Sequence, residues 1–118
     1  MPHHVTKIDK PWGYELIFAH TSSYAGKILV IEPGQELSRQ YHEMKEETIY
    51  VIEGEMILET GDGTDRRTIR LMVGEGYHLP PRTIHRFSTE RGCRLVEVST
   101  PHLDDVVRLE DRYGRIQK

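Results

Sequence analysis

Gln40, His42, Glu47 and His85 offer an amide oxygen, two imidazoles and a carboxylate, the donor types that hold a divalent metal. Mixed nitrogen and oxygen donors suit Mn, Fe, Co, Ni or Zn. Gln40 and His42 lie two apart in a strand-like segment, so period-two geometry sends both side chains to one face. Glu47 follows His42 by five residues, an odd number. Its carboxylate can reach the same side only if the chain turns around 43–46 and returns in an adjacent antiparallel strand. His85 arrives from a distant segment behind the stiff Pro80-Pro81 pair. A His near a Glu is common in any polar hairpin, so the trio of Gln40, His42 and Glu47 gains weight only from its surroundings.

Those surroundings read as strands. Short apolar runs recur at 14–19, 27–33, 36–42, 47–53, 55–60, 67–73, 76–81, 84–89 and 94–100. Pro33-Gly34, Glu53-Gly54, Gly61-Asp62-Gly63, Gly74-Glu75-Gly76 and Arg91-Gly92 punctuate them as turns between antiparallel strands. No run sustains helical periodicity, so the expectation is an all-β sandwich or barrel, with a jelly roll the common solution at this length. Residues 101–118 are charge-dense, with Val106, Val107, Leu109 and Tyr113 as anchors. They are expected to lie across the barrel, the alternative being a solvated tail.

A chain of 118 residues fits one domain. The expected division is a core over about 12–100 and a C-terminal tail over 101–118. Apolar residues at 36% and charged residues at 30% suit a soluble globular domain. A formal charge of −3 provides no field to gather nucleic acid or anionic membrane, which leaves small ligands as expected partners. Cys93 is the single cysteine, so an internal disulfide is excluded and a reduced, cytoplasmic setting is expected. No leader-like apolar region opens the chain, and no stretch approaches the roughly 18 apolar residues of a membrane span. His3 and His4, in a polar terminus, are expected to be incidental.

Gly34-x5-Gln40-x-His42-x4-Glu47-x6-Gly54 resembles the first cupin motif, and Gly74-x5-Pro80-x-Arg82-x2-His85 resembles the second. The resemblance implies a double-stranded β-helix, a jelly-roll barrel around one divalent metal ion. Three positions depart from it: Gln40 replaces the leading His, Arg82 stands where Gly is usual, and Thr89 where Asn often sits. An amide oxygen is a poorer donor than imidazole, which points to partial metal occupancy. If its turn demands positive φ, Arg82 carries a strain of roughly 1 kcal/mol or more. The flanks sharpen the likeness. Lys10-Pro11-Trp12-Gly13, Leu37 to His42, Lys45 with Glu47, Pro81 to His85 and Asp104 to Arg115 resemble type II phosphomannose isomerase over nearly the whole chain. That family places Gln, His, Glu and His around its metal, so Gln40 becomes an expected feature. The resemblance does not bring the large nucleotidyltransferase domain to which such cupins are often fused, so guanylyltransferase activity is not expected of these residues. Gly61-x-Gly63 reads as a polar turn and not as a phosphate loop.

The resemblance implies an aldose-ketose isomerase of the mannose-6-phosphate isomerase type, in which a side chain carries a proton between C1 and C2 of a phosphorylated sugar. Lys45 and Glu97 are the candidates. Lys45 matches a basic position of the motif, and Glu97 interrupts the apolar run Leu95 to Ser99, although strand alternation alone would leave it on solvent. A phosphate invites the planar fork of arginine. Arg39 is out of phase with Gln40 and Arg86 with His85, which leaves Arg82 and the tail arginines, Arg112 among them, as substrate-binding candidates. The alternatives on the same barrel are a dioxygenase, a sugar epimerase, or a non-catalytic sugar-binding module, since a metal barrel fixes no reaction. Dioxygenation would need open coordination positions and an apolar pocket. Trp12, Tyr14, Tyr41 and Tyr50 could line a carbohydrate pocket, though aromatics at strand spacing are more often core. Exposed apolar strand edges favour a homodimer.

Overall fold

Alternation of buried and exposed residues along 47–60 sets the architecture, because one strand of that length must serve two sheets. The computed structural model describes residues 1–116. Its ten strands are β1 (Thr6–Lys10), β2 (Gly13–His20), β3 (Ala25–Ile31), β4 (Arg39–Tyr41), β5 (Glu47–Thr60), β6 (Arg67–Met72), β7 (Gly76–Leu79), β8 (His85–Ser88), β9 (Cys93–Ser99) and β10 (Val107–Glu110). Neighbouring strands run in the order β1-β2-β3-β9-β5-β8-β4-β10, with β6 and β7 also paired to β5. Every pairing is antiparallel. One 3₁₀ turn, Gly63–Asp65, interrupts the strands. No helix among the described residues is long and apolar enough to cross a membrane.

β5 departs from the expected pair of strands with a turn at Glu53-Gly54. Its first half pairs with β7 and β9, its second half with β6 and β8. The register slips between Val51 and Glu53, and the inward set changes from Glu47, Ile49 and Val51 to Met56, Leu58 and Thr60. One extra residue restores the apolar face after the strand bends, which is what a bulge accomplishes. Gly54 makes the bend possible. Its φ is +74, and a Cβ there would sit 2.2 Å from the carbonyl oxygen of Gly92.

The inward faces bury Leu29, Ile31, Leu37, Ile49, Val51, Met56, Leu58, Leu71, Leu79, Phe87, Cys93 and Leu95 around Trp12. Two further features differ from the sequence expectation. The run 36–42 contributes only the three-residue β4 and a bridge from Glu36 to Ser88, because the four steps from Glu36 to Gln40 face only three from Ser88 to His85, which breaks the ladder between them. A strand precedes the expected core over 12–100, since β1 pairs with β2 through five residue pairs, and the His3 ring meets the carbonyl of Phe18 at 2.7 Å. The charged tail is part of the sheet, with β10 pairing to β4.

Candidate metal centre

His42 directly follows β4, Glu47 opens β5 and His85 opens β8, so three strand ends meet at one end of the interior. The bend at 43–46 that parity required is built by Asp105. Its carboxylate accepts the backbone N–H groups of Glu43, Met44 and Lys45 at 3.1, 2.7 and 2.9 Å. Burial works against the Asp105 charge, but those three donors hold its pKa below the usual carboxylate range. His42 Nε2 lies 3.5 Å from Glu47 Oε2, and His85 Nε2 lies 3.6 Å from Glu47 Oε1. One donor atom from each of the three residues falls within 4.8 Å of the others. Two ligands about 2.1 Å from one ion at the tetrahedral angle stand about 3.4 Å apart, so the spacing fits a shared cation.

The tautomers fit as well. His42 Nδ1–H donates to the carbonyl of Asp105 at 2.5 Å, and His85 Nδ1–H donates to the carbonyl of Thr83 at 2.8 Å. Both Nε2 atoms therefore turn a lone pair toward Glu47, the arrangement that orients metal-binding imidazoles. His85 Nε2 is buried and has no hydrogen-bond partner among the described residues. Burial lowers the pKa of both rings, that of His85 to about 4, so both are neutral and competent to ligate at neutral pH. Gln40 lies opposite His85 across the β4–β8 pairing and lines a cavity together with His42 and Glu47, its Oε1 accepting the Ser38 hydroxyl at 3.3 Å.

Lys45 and Glu97 flank this cluster. Lys45 Nζ sits 2.9 Å from Glu47 Oε2 and 2.9 Å from Glu97 Oε2, and all three side chains are buried. Glu97 faces inward and not to solvent, opposite Lys27 in the β3–β9 pairing, and Lys27 in turn meets Glu15 at 3.4 Å. A row of alternating charge thus runs along the interior from Glu47 to Glu15. Burial opposes charge on Lys45, yet Glu97 and then Glu47 outweigh it and keep the ammonium protonated. Burial, followed by Glu97, pushes Glu47 up to about 7 against the pull of Lys45. Burial would likewise raise Glu97, but Lys45 and Lys27 overcome it and hold its carboxylate ionised.

The arginine candidates separate. Arg39 and Arg86 lie off the cavity as parity requires, Arg39 meeting Asp62 at 2.7 Å and both reaching toward Glu110. Arg82 has φ 65, the one positive φ outside glycine among the described residues, and its N–H donates to the carbonyl of His42 at 2.7 Å. Its side chain is exposed, beside Glu43. Arg112 reaches Gly34 and Glu36. The structure brings neither Arg82 nor Arg112 to the cavity wall. Lys10, Arg108 and Arg115 stand there instead, in a cavity of about 220 Å³ whose wall also carries Trp12 but not Tyr14, Tyr41 or Tyr50. Lys27 was within reach of sequence reasoning, since it interrupts an apolar strand as Glu97 does. Arg108 and Arg115 were among the tail arginines left as candidates, but nothing local ranked them above Arg112 or showed the role of Asp105, because these depend on where the tail docks.

Residues 27–99 match the family model described as a cupin domain. Among curated proteins, the chain is 34% identical over 122 residues to the mannose-1-phosphate guanylyltransferase ManC of Salmonella typhimurium, covering 97% of this chain and 24% of that protein. It is 28% identical over 114 residues to the xanthan biosynthesis protein XanB of Xanthomonas campestris pv. campestris, covering 92% of this chain and 24% of that one. The chain thus spans about a quarter of the length of these relatives. Among solved structures, KdgF from Halomonas sp. superposes with a TM-score of 0.72 at 21% identity, over 86% of this chain and 89% of that one. A likeness at that identity speaks to the fold.

Proposed function

The chain belongs to the cupin domain family, and from that premise we propose that it is a metal-dependent aldose-ketose isomerase of the mannose-6-phosphate isomerase type. One observation carries the reading. The buried Lys45–Glu97 pair sits against the His42–Glu47–His85 cluster, in a cavity whose wall carries charged side chains beside apolar ones. His42, Glu47 and His85 would hold the ion, with Gln40 as fourth donor. A bound divalent ion supplies Lewis-acid stabilisation of negative charge developing on a carbonyl oxygen.

The protein's own groups account for the proton. Lys45 is held charged by two carboxylates, so it donates hydrogen bonds and cannot be the base. Glu97, kept ionised by Lys45 and Lys27 and lining the cavity, is the group that takes a proton from one sugar carbon and returns it to the next. The Lys27–Glu15 pair fixes Glu97 from behind. The mannose-phosphate chemistry in the name of ManC supports this substrate class.

A second copy of the chain and a reduced cytoplasmic setting complete the proposal. Leu16, Ile28, Val96 and Tyr50 form one row across β2, β3, β9 and β5 on the face turned away from the cavity. Tyr50 and Val98 there are about half exposed. Pairing two such faces would cover them, and sedimentation analysis reads it directly.

The function is tested by assaying conversion of mannose 6-phosphate to fructose 6-phosphate before and after chelation. Activity should vanish with the metal and return on its restoration. His42→Ala and His85→Ala should each abolish metal uptake and leave a folded barrel; uptake that survives both changes removes the basis of the reading.

A further inference from the structure

The cavity wall carries five cations, Lys10, Lys27, Lys45, Arg108 and Arg115. Three are committed. Lys27 meets Glu15, Lys45 meets Glu47 and Glu97, and Arg115 donates through Nε and Nη2 to the two oxygens of Asp111 at 2.8 and 3.0 Å. Arg108 differs. It makes no ion pair among the described residues, and its Nε is buried without a hydrogen-bond partner there. It stands on β10 opposite Gln40 of β4, so its strand lies directly beside the one that delivers His42. Lys10, across the cavity on β1, also makes no ion pair among the described residues, and the acid at this rim is the exposed Asp104.

A half-buried guanidinium with no ion pair is costly, because its desolvation is only weakly offset. Burial and then the neighbouring Arg115 both draw the Arg108 pKa down, against a smaller opposing effect of Asp111. An anion between the two guanidiniums would relieve both effects at once. Arginine forks match the oxygens of phosphate or carboxylate two at a time. Asp111 holds Arg115 in a fixed orientation, so little ordering remains when a ligand arrives.

We propose that Arg108, with Arg115 beside it, is the anchor for the oxyanion group of a small ligand, phosphate foremost, whose hydroxylated remainder reaches the His42–Glu47–His85 cluster. This rests on reading the cavity as a small-molecule site and names the residues that select a phosphorylated sugar over a neutral one. It does not depend on isomerisation.

The test is calorimetric titration of the full chain, loaded with Co²⁺, using mannose 6-phosphate, mannose, inorganic phosphate and glucuronate. Mannose 6-phosphate should bind, inorganic phosphate should compete with it, and mannose should bind far more weakly. Arg108→Gln should weaken mannose 6-phosphate and phosphate by about tenfold or more, the loss of one charge-assisted pair. Arg108→Lys should recover part of that loss, and the Co²⁺ stoichiometry should be the same in all three proteins. Glucuronate binding that depends on Arg108 supports the same anchor with a carboxylate in it. The proposal is overturned if Arg108→Gln binds mannose 6-phosphate as tightly as the parent, if mannose matches its phosphate, or if none of the anions binds. Arg108-dependent binding without turnover would instead remove the isomerase reading and leave this anchor standing.

Discussion

Along β3 the inward residues pass from Lys27 to Leu29 and Ile31, and along β9 from Glu97 to Leu95 and Cys93, so one barrel interior has a charged end and a dry end on the same strands. At the dry end, Val51, Met56, Leu58 and Leu95 are completely or almost completely buried and carry no polar group. At the other, Lys45, Glu47, His85 and Glu97 are buried nearly as deeply. β3 and β9 pair through both ends without a register break, so the backbone of these two strands does not separate them. What separates them is how burial is offset. Apolar side chains gain from leaving water, roughly 25 cal/mol per Å². Buried charges recover their desolvation cost only through one another, so the charged end contributes little net stability while fixing four side chains in place. The dry end holds the fold, and the charged end is what the fold holds.

Removing one member of the charged row should show its cost most sharply. Lys45→Met leaves two buried carboxylates facing each other and should lower unfolding free energy in denaturant titration by about 3 to 5 kcal/mol. Adding Glu97→Leu should restore much of that loss and make the charged end behave more like the dry one, with activity absent in both variants. At the dry end, Leu58→Ala should cost about 2 to 5 kcal/mol by the same measurement. It should leave the number of metal ions bound per folded chain unchanged. If Leu58→Ala instead abolishes metal binding, the two ends are not independent.

Smaller effects lie at the rim of the charged end. Arg82→Gly relieves a positive φ and should raise stability by about 1 kcal/mol, read as a higher midpoint in thermal unfolding. The tail closing this end should respond to acid. Hydrogen bonding from Arg115 holds Asp111 down to about 2, below an unfolded value of about 3.9. A depressed carboxylate stabilises the fold above its unfolded pKa and loses that contribution as pH falls through the folded one. Between about pH 4 and 2 the segment after β10 should therefore loosen, seen as faster proteolysis near Tyr113 by an acid-active protease. In Asp111→Asn that acid step should be missing.

The sequence was informative where chemistry and period agree. His42, Glu47 and His85 were identifiable because motif spacing points to all three, with parity aligning His42 with Gln40, and the structure brings them together. Parity also kept Arg39 and Arg86 off the cavity. It failed for the turn at Glu53-Gly54, because a bulge and a hairpin share the same glycine, and only pairing to a second sheet tells them apart. Glu97 was ambiguous for a related reason. Alternation says that a polar residue sits out of phase with its neighbours' burial, and it cannot say that a buried lysine waits opposite.

By itself the amino-acid sequence determined the strand content and the single core, which rest on short-range period, and pointed to His42, Glu47 and His85 as candidate metal ligands through donor chemistry and motif spacing. Tertiary structure alone decided which cations face the cavity. Arg82 and Arg112 were as plausible in sequence as Arg108 and Arg115. The choice was made by the docking of β10 on β4, together with the hold of Asp105 on the 43–45 backbone. Contacts between residues about sixty positions apart depend on packing free energy summed over the whole fold, and no local pattern encodes that sum.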